Sequence, residues 1–472
     1  MDIEKNNVLK YTFLIIPFKF EGAISEDAVT STGFYHPCDH SVIKYDRLYK
    51  HVADCIAEKN PDRTIFDFWA DREHHLSDLF RNTLQFRVKN ENGQFFSAEG
   101  YLKDLFVYCF DNGIGFLVFN FVFDEKTPLN TICEILNKLK KIKRNDDSSK
   151  FEILCDKKPV DLFELIKTAA ANLNLKCDLF FQHSAKNYVS ATMLNSFAFE
   201  EPQGEETIRH ALECLKRSQG NSFGTKESSS KEYLNPFKNM FWAFSTQGIA
   251  NVNYLDPEVG NAEFMKRFYK NVKREYLLMT LLVLNQEYTL LDYCQKFVNS
   301  KDKLPTIQDL NRLYNFKIQG TFTTVSHLEH YRTFYDSYLH EMGIEQILNE
   351  VNTKQNAIYL TNKNRFAEEK ARKDKNVNRF TKVLSLILSI FGITGLINNV
   401  RNLLAAPNAL EVSTVVLSAV AVAVAAMMFF SESRERKLKR EIEGTVEKTK
   451  NKNKQAESGN NSQQNATSSE GK

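Results

Sequence analysis

The sequence lacks an excess of either charge: 62 Lys and Arg stand against 59 Asp and Glu, a formal net charge of +3. That balance excludes a general nucleic-acid binder, which needs a basic surplus for its phosphate contacts. No direct nucleic-acid partner is expected. A CxxC pair is also missing. The eight cysteines are scattered at 38, 55, 109, 133, 155, 177, 214 and 294, a spread that favours free thiols in a reducing compartment over a disulfide framework. Met1 to Lys10 shows no signal-peptide pattern, so the large N-terminal part is expected to remain in the cytosol. GxSxG, HExxH, a Cys/His nucleophile pattern and a glycine-rich phosphate loop are all absent, and no enzyme is expected. Gly113-x-Gly115 reads better as part of a hairpin turn.

Aromatic residues are plentiful, with 37 Phe and 18 Tyr, and point to an aromatic-rich core or interface. Lys10 to Phe20 reads as a strand, with Pro17 suggesting an edge or a bulge. Asp111-Asn112-Gly113 is a tight-turn signal before the strand Ile114 to Phe123. Thr127-Pro128 opens a helix through Ile142, with Thr127 as its cap. Residues 1–230 read as a mixed α/β domain. The Gly/Ser-rich stretch Gln219 to Lys231 marks a boundary, and 231–343 reads as helical. Asn261 to Asn299 reads as one helix, and its Tyr276 to Leu284 is apolar all round yet too short to span a bilayer.

Residues 344–382 read as a stalk helix that grows steadily more charged. Two uncharged stretches follow, at 383–400 and 412–430, each long enough at about 1.5 Å per residue to cross most of a ~30 Å hydrocarbon layer. Eight Lys/Arg against three acids precede the first stretch, from Thr361 to Lys382, and nine against five follow the second, from Ser431 to Lys454. The expected fold is therefore an α+β cytosolic domain, a long-helix stalk and a C-terminal two-helix transmembrane hairpin. Residues 401–411 would form the external loop, and 431–472 a basic, disordered cytosolic tail. Both termini would be cytoplasmic, at the inner membrane. Ser385, Ser389, Gly392 and Asn399, with Leu396 filling the remaining step and Asn398 beside it, mark a stripe that would line a pore in an oligomer.

His36-x-Cys38-x-His40, followed by His51, offers metal-type side chains but fits no standard zinc spacing, and no metal is assigned. His74-His75 reads as solvated surface. Trp242 and Gln247, in the stretch Phe241 to Gly248, combine stacking surface with hydrogen-bonding groups. Arg267, Lys270, Lys273 and Arg274 come soon after, and together these suit a nucleotide-like ligand. A packed aromatic cluster beside a solvated basic face is the competing reading.

The order of parts resembles the CorA family of divalent-cation channels, most closely from Ile344 to Lys439. Gly395-Leu396-Ile397-Asn398-Asn399 stands where that family has Gly-Met-Asn. Further stretches resemble the divergent CorA-like proteins found beside type III CRISPR systems. They are Gly113-Ile114-Gly115-Phe116-Leu117-Val118-Phe119, Asn195-Ser196-Phe197, Trp242-x-Phe244-Ser245-x-Gln247-Gly248, and Tyr276-Leu277-Leu278 through Leu284-Asn285-Gln286-x-Tyr288. The resemblance implies a pentameric membrane effector for antiviral defence, opened by a nucleotide second messenger, a conjugate of S-adenosylmethionine and AMP. A divalent cation would be its permeant ion. An ordinary CorA-type magnesium, cobalt or nickel transporter and a membrane-anchored scaffold without a pore are the alternatives.

Overall fold

In a computed structural model the chain is described over residues 10–40, 45–57, 60, 63–73, 76–89, 92–143, 150–181, 188–217, 233–256, 262–299 and 307–405. It divides into two units, Met1–Ile358 and Tyr359–Lys472. The strands of the first unit are β1 (Lys10–Glu21), β2 (Tyr35–Pro37), β3 (Ile65–Ala70), β4 (Leu84–Lys89), β5 (Phe95–Phe110), β6 (Ile114–Phe123), β7 (Lys141–Lys143) and β8 (Phe151–Cys155). They continue with β9 (Lys158–Pro159), β10 (Lys176–Asp178), β11 (Tyr188–Ser190), β12 (Thr192–Phe199), β13 (Leu234–Phe237), β14 (Met240–Ser245) and β15 (Gly248–Tyr254).

Among the described residues thirteen strands join one sheet, in the order β13-β14-β15-β12-β1-β6-β5-β4-β8-β9, while β7 and β11 pair separately. Outside that order, β2 pairs with β3, β3 with β5, and β10 with β1. The β12–β15 pair is parallel. Since β13–β15 lie in the same sheet as β1, the sheet runs on past the Gly/Ser-rich stretch at 219–231, which lies outside the described residues.

Both faces of the sheet are covered, which is why its central strands are apolar at successive positions rather than alternating. On β1, Leu14, Ile16, Phe18 and Phe20 enter one core, and Tyr11, Phe13 and Ile15 enter another. Helices Leu129–Leu139, Leu162–Ala171 and Glu205–Arg217 supply the first core. The second is built by the helix Leu277–Asn299 and the helix Glu329–Glu341. The all-round apolar run from Tyr276 to Leu284 is fully buried there.

Pro17 sits on a central strand, not an edge. β1 pairs with β12 only through Ile15 and with β10 only from Lys19, so no partner on that side needs a donor from Pro17. The turn at 111–113 forms as read, with Gly113 at φ +89°. Asn112 donates to Asn285 and Thr289, each at 3.0 Å, tying the turn to the helical layer. Helix Leu129–Leu139 starts one residue later than expected, with Pro128 as its N-cap, and ends before β7. The helix expected over 261–299 is Ala262–Asn271, one π turn at Val272–Tyr276, and Leu277–Asn299.

The transmembrane hairpin is corrected. Among the described residues no helix is long and apolar enough to cross a membrane. The stretch 383–400 is the later part of one helix, Ile344–Ala405, which runs on through Arg401 where an external loop was expected. Its run free of charged and amide side chains, 383–397, ends at Asn398 and covers about 22 Å at 1.5 Å per residue, short of a ~30 Å hydrocarbon core. The second stretch, 412–430, and the tail lie outside the described residues. The two-span inner-membrane reading, and the channel that required it, fall with that finding. Along the same helix Ser389 donates to the Ser385 carbonyl at 2.7 Å, satisfying its hydroxyl within the helix. Asn398 is exposed, and the side chains of Leu396 and Asn399 lie outside the described part.

Gly115 is required by packing rather than by the turn. A Cβ there would lie 2.3 to 2.8 Å from the Phe18 ring, which is fully buried. Gly115→Ala is expected to cost about 2 kcal/mol by overpacking, read as a lower urea midpoint with unchanged slope. A second expectation concerns Glu287, a largely buried carboxyl whose desolvation pushes its pKa up to about 7. Its neutral form is favoured in the fold, so a destabilising contribution grows as pH rises from about 4.5 to about 7. Glu287→Gln should stabilise the protein at pH 8, by an amount on the order of 2–3 kcal/mol, and leave it unchanged at pH 4 in thermal unfolding.

Candidate functional site

The strongest concentration of buried charge lies where β5 departs from regular pairing. Leu102 is opposite Phe121 and Asp104 opposite Asn120, so Lys103 is an extra residue in the strand. This bulge inverts the alternation. Leu102 and Leu105 both face the first core, and the consecutive pair Lys103 and Asp104 turns to the other face. There Lys103 Nζ sits 4.3 Å above the Tyr269 ring. The Asp104 side chain is only 2% exposed.

Three groups answer that buried carboxylate. Lys273 Nζ lies 3.0 Å from Asp104 Oδ2, Arg72 Nη2 contacts Oδ1, and Asn120 Nδ2 donates to Oδ2 at 3.0 Å. The same Asn120 amide donates to the Tyr269 hydroxyl at 2.9 Å. Burial pushes the Asp104 pKa up, but Lys273 and Arg72 outweigh it, and the carboxyl is held below its usual value. Lys273 reaches this position from the π turn, where one extra residue per turn rotates its side chain relative to a regular helix. Its ammonium also lies 4.8 Å from the centre of the Phe106 ring.

These residues wall a cleft of about 580 Å³ lined by Trp69, Asp71, Arg72, Glu73, Asp104, Phe106 and Lys273, with Ala70 and Leu105. The volume falls in the range of small-molecule sites. At the rim Trp69 is 37% exposed, its ring tilted by 35° to that of His36 with centres 4.9 Å apart, and His36 lies 3.6 Å from Asp71. Arg72 is half exposed. Opposite charges are interleaved: three carboxylates face a guanidinium and an ammonium. Such a lining suits a ligand with an aromatic ring and charges of both signs, because a bare anion would draw Lys273 and Arg72 away and leave Asp104 buried and unpaired.

Next to the cleft, His40 Nε2 lies 2.7 Å from Asp67, and Cys38 is nearly buried beside them. Burial, and then the Asp67 carboxylate, push the Cys38 thiol well above its usual pKa, so it is no nucleophile at neutral pH. Among the described residues no group of three His, Cys, Asp or Glu could hold a metal ion. His74 and His75 lie outside the described residues.

The residues proposed from sequence for a ligand are not brought together. Trp242 is 1% exposed and stacks at 4.6 Å on Tyr276, with Phe334 edge-on at 4.8 Å. Its ring is core, as the competing reading held. Gln247 lies in the β14–β15 turn and accepts from Lys140 at 3.0 Å. Arg267 pairs at 3.7 Å with Glu263 on the helix surface, Lys270 is exposed, and Arg274 is half-buried. Lys273, one residue earlier, is the member of that basic series that pairs with the buried Asp104. The bulge that turns Asp104 inward leaves only a weak mark in sequence, the polar pair Lys103-Asp104 within an apolar strand.

No known protein family matches the chain, and no curated protein or solved structure matches it.

Lys273→Met is expected to destabilise the fold by roughly 2–3 kcal/mol in urea at pH 7, because it leaves Asp104 with Arg72 as its one charged partner beside the Asn120 amide. Adding Asp104→Asn should recover most of the loss. Since the Asp104 pKa is depressed, its contribution is present above about pH 4 and is lost as pH falls through the lower folded value. Asp104→Asn alone should therefore flatten the acid limb of the stability profile.

Proposed function

We propose that the first unit is a sensor that binds, rather than transforms, a small ligand of nucleotide class in the cleft between β3, β5 and the π turn. The observation that carries this reading is the buried Asp104, held by Lys273 and Arg72 at the base of an open cleft with a half-exposed Trp69 at its rim. Trp69 offers a face for a base. Arg72 and Lys273 suit a phosphate, and Asp71, Glu73 and Asp104 suit a cationic group on the same ligand. A conjugate of S-adenosylmethionine and AMP combines these features, in keeping with the resemblance to CRISPR-associated CorA-like effectors. Binding acts on the protein to the extent that it favours one of two states. The π turn is the element placed to differ between them, since its Lys273 must exchange Asp104 for the ligand.

Titration calorimetry tests this with the purified chain and three probes: the conjugate, AMP and S-adenosylmethionine. The conjugate should bind more tightly than either half. Arg72→Ala and Trp69→Ala, both at partly exposed positions, should each weaken it about tenfold or more, equivalent to at least ~1.4 kcal/mol. Absence of heat with all three probes, or equal affinity in the two variants, would overturn the reading.

A further inference from the structure

On the opposite face of the sheet, helices Leu129–Leu139 and Glu205–Arg217 bring two cysteines together. Cys133 is fully buried and Cys214 is 3% exposed. The two helices pack against each other, and the Cys133 and Cys214 side chains interact within the first core. One helical turn before Cys214, the exposed His210 places its ring nitrogens 3.6 and 3.9 Å from the same sulfur. We propose that Cys133 and Cys214 are a redox modification site, a dithiol that a small hydroperoxide converts to an intramolecular disulfide.

Burial alone would make both thiols inert, because a desolvated thiolate is unfavourable. Two contacts oppose that at Cys214. The interaction with Cys133 favours negative charge on the Cys214 sulfur and lowers its pKa, whereas that of Cys133 is raised. The His210 ring provides a proton acceptor that reaches solvent. With the His210 ring beside its sulfur, Cys214 is the attacking thiol and Cys133 the resolving one.

In the first step the Cys214 sulfur attacks the peroxide and its proton passes to His210. An S–O bond forms, the O–O bond breaks, and the departing oxygen takes the proton from His210 as alcohol, or as water from hydrogen peroxide. In the second, Cys133 attacks the sulfenic sulfur. The S–S bond forms, the S–O bond breaks, and hydroxide leaves with the Cys133 proton as water. Two thiols are oxidised by two electrons, and one hydroperoxide is reduced.

The test uses the full chain, reduced and then treated with hydrogen peroxide, alkylated and mapped by mass spectrometry without reduction. The expected result is loss of two hydrogens per chain, a linked peptide joining Cys133 to Cys214, six alkylated cysteines, and full reversal by dithiothreitol. Alkylation of all eight, or a link that joins other cysteines such as Cys109 and Cys177, would overturn the proposal. Cys133→Ala should accumulate a sulfenic acid at Cys214 that dimedone captures. His210→Gln should slow disulfide formation at an unchanged thermal midpoint, which a purely structural histidine would not do. The wild-type peptide map decides the matter even where Cys133→Ala fails to fold.

Discussion

The buried carboxylate of Asp104 sets terms that much of the first unit must meet. A charge so enclosed is tolerable only with partners in place, and those partners come from three separate parts of the chain. Arg72 follows β3, Asn120 is on β6, and Lys273 arrives from the helical layer. Neutralising one side chain therefore fixes the end of β3, the register of β5 against β6, and the placement of the π turn over the sheet. Apolar packing supplies most of the stabilisation in both cores, but it is non-directional and would tolerate small slips. The ionic centre does not tolerate them.

Two local irregularities make the centre possible, and both depart from regular secondary structure by one residue. The bulge at Lys103 turns Asp104 out of the first core, and the π turn at Val272–Tyr276 turns Lys273 toward it. An added residue in a strand or helix interrupts hydrogen bonding and is retained where the surroundings over-determine it. Here they face each other across the cleft, and each supplies the side chain that the other needs.

That arrangement also marks what could be read without coordinates. The hairpin at 111–113 was legible because Asp-Asn-Gly encodes its own backbone conformation. The strands Lys10–Glu21 and Ile114–Phe123 were legible from composition, and the burial of Tyr276 to Leu284 from its all-round apolar character. Pro17 misled, because its tolerance in mid-sheet depends on where β12 stops pairing, a property of a strand about 180 residues away. Trp242 misled because an aromatic-rich stretch looks the same whether its rings face solvent or one another, and Tyr276 and Phe334 come from distant segments. The cleft was hidden for the same reason: Arg72, Asp104 and Lys273 are unremarkable singly, and only the bulge and the π turn join them. The stretch 383–400 misled in another way. Freedom from charge does not by itself make a stretch fit for lipid, and Asn398 and Asn399 end its apolar run too soon.

The π turn distributes three consecutive side chains to different surroundings. Lys273 goes to Asp104, Arg274 is half-buried, and Glu275 is 2% exposed, its pKa raised by burial, with the Arg47 guanidinium near enough to oppose that rise. Arg47 in turn donates to the Tyr331 hydroxyl at 2.9 Å, and its carbonyl accepts from Ser326, linking residues 45–48 to helix Glu329–Glu341. A regular α-helical turn would rotate all three side chains together, by roughly the 100° that one residue subtends, and would break the Lys273 and Glu275 arrangements at once. The ionic centre under the cleft and the packing of Glu329–Glu341 therefore both depend on a single backbone choice. A ligand that takes Lys273 from Asp104 removes one of the two constraints holding that choice, and Glu275, lacking a hydrogen bond for one buried carboxyl oxygen among the described residues, is the weaker of them.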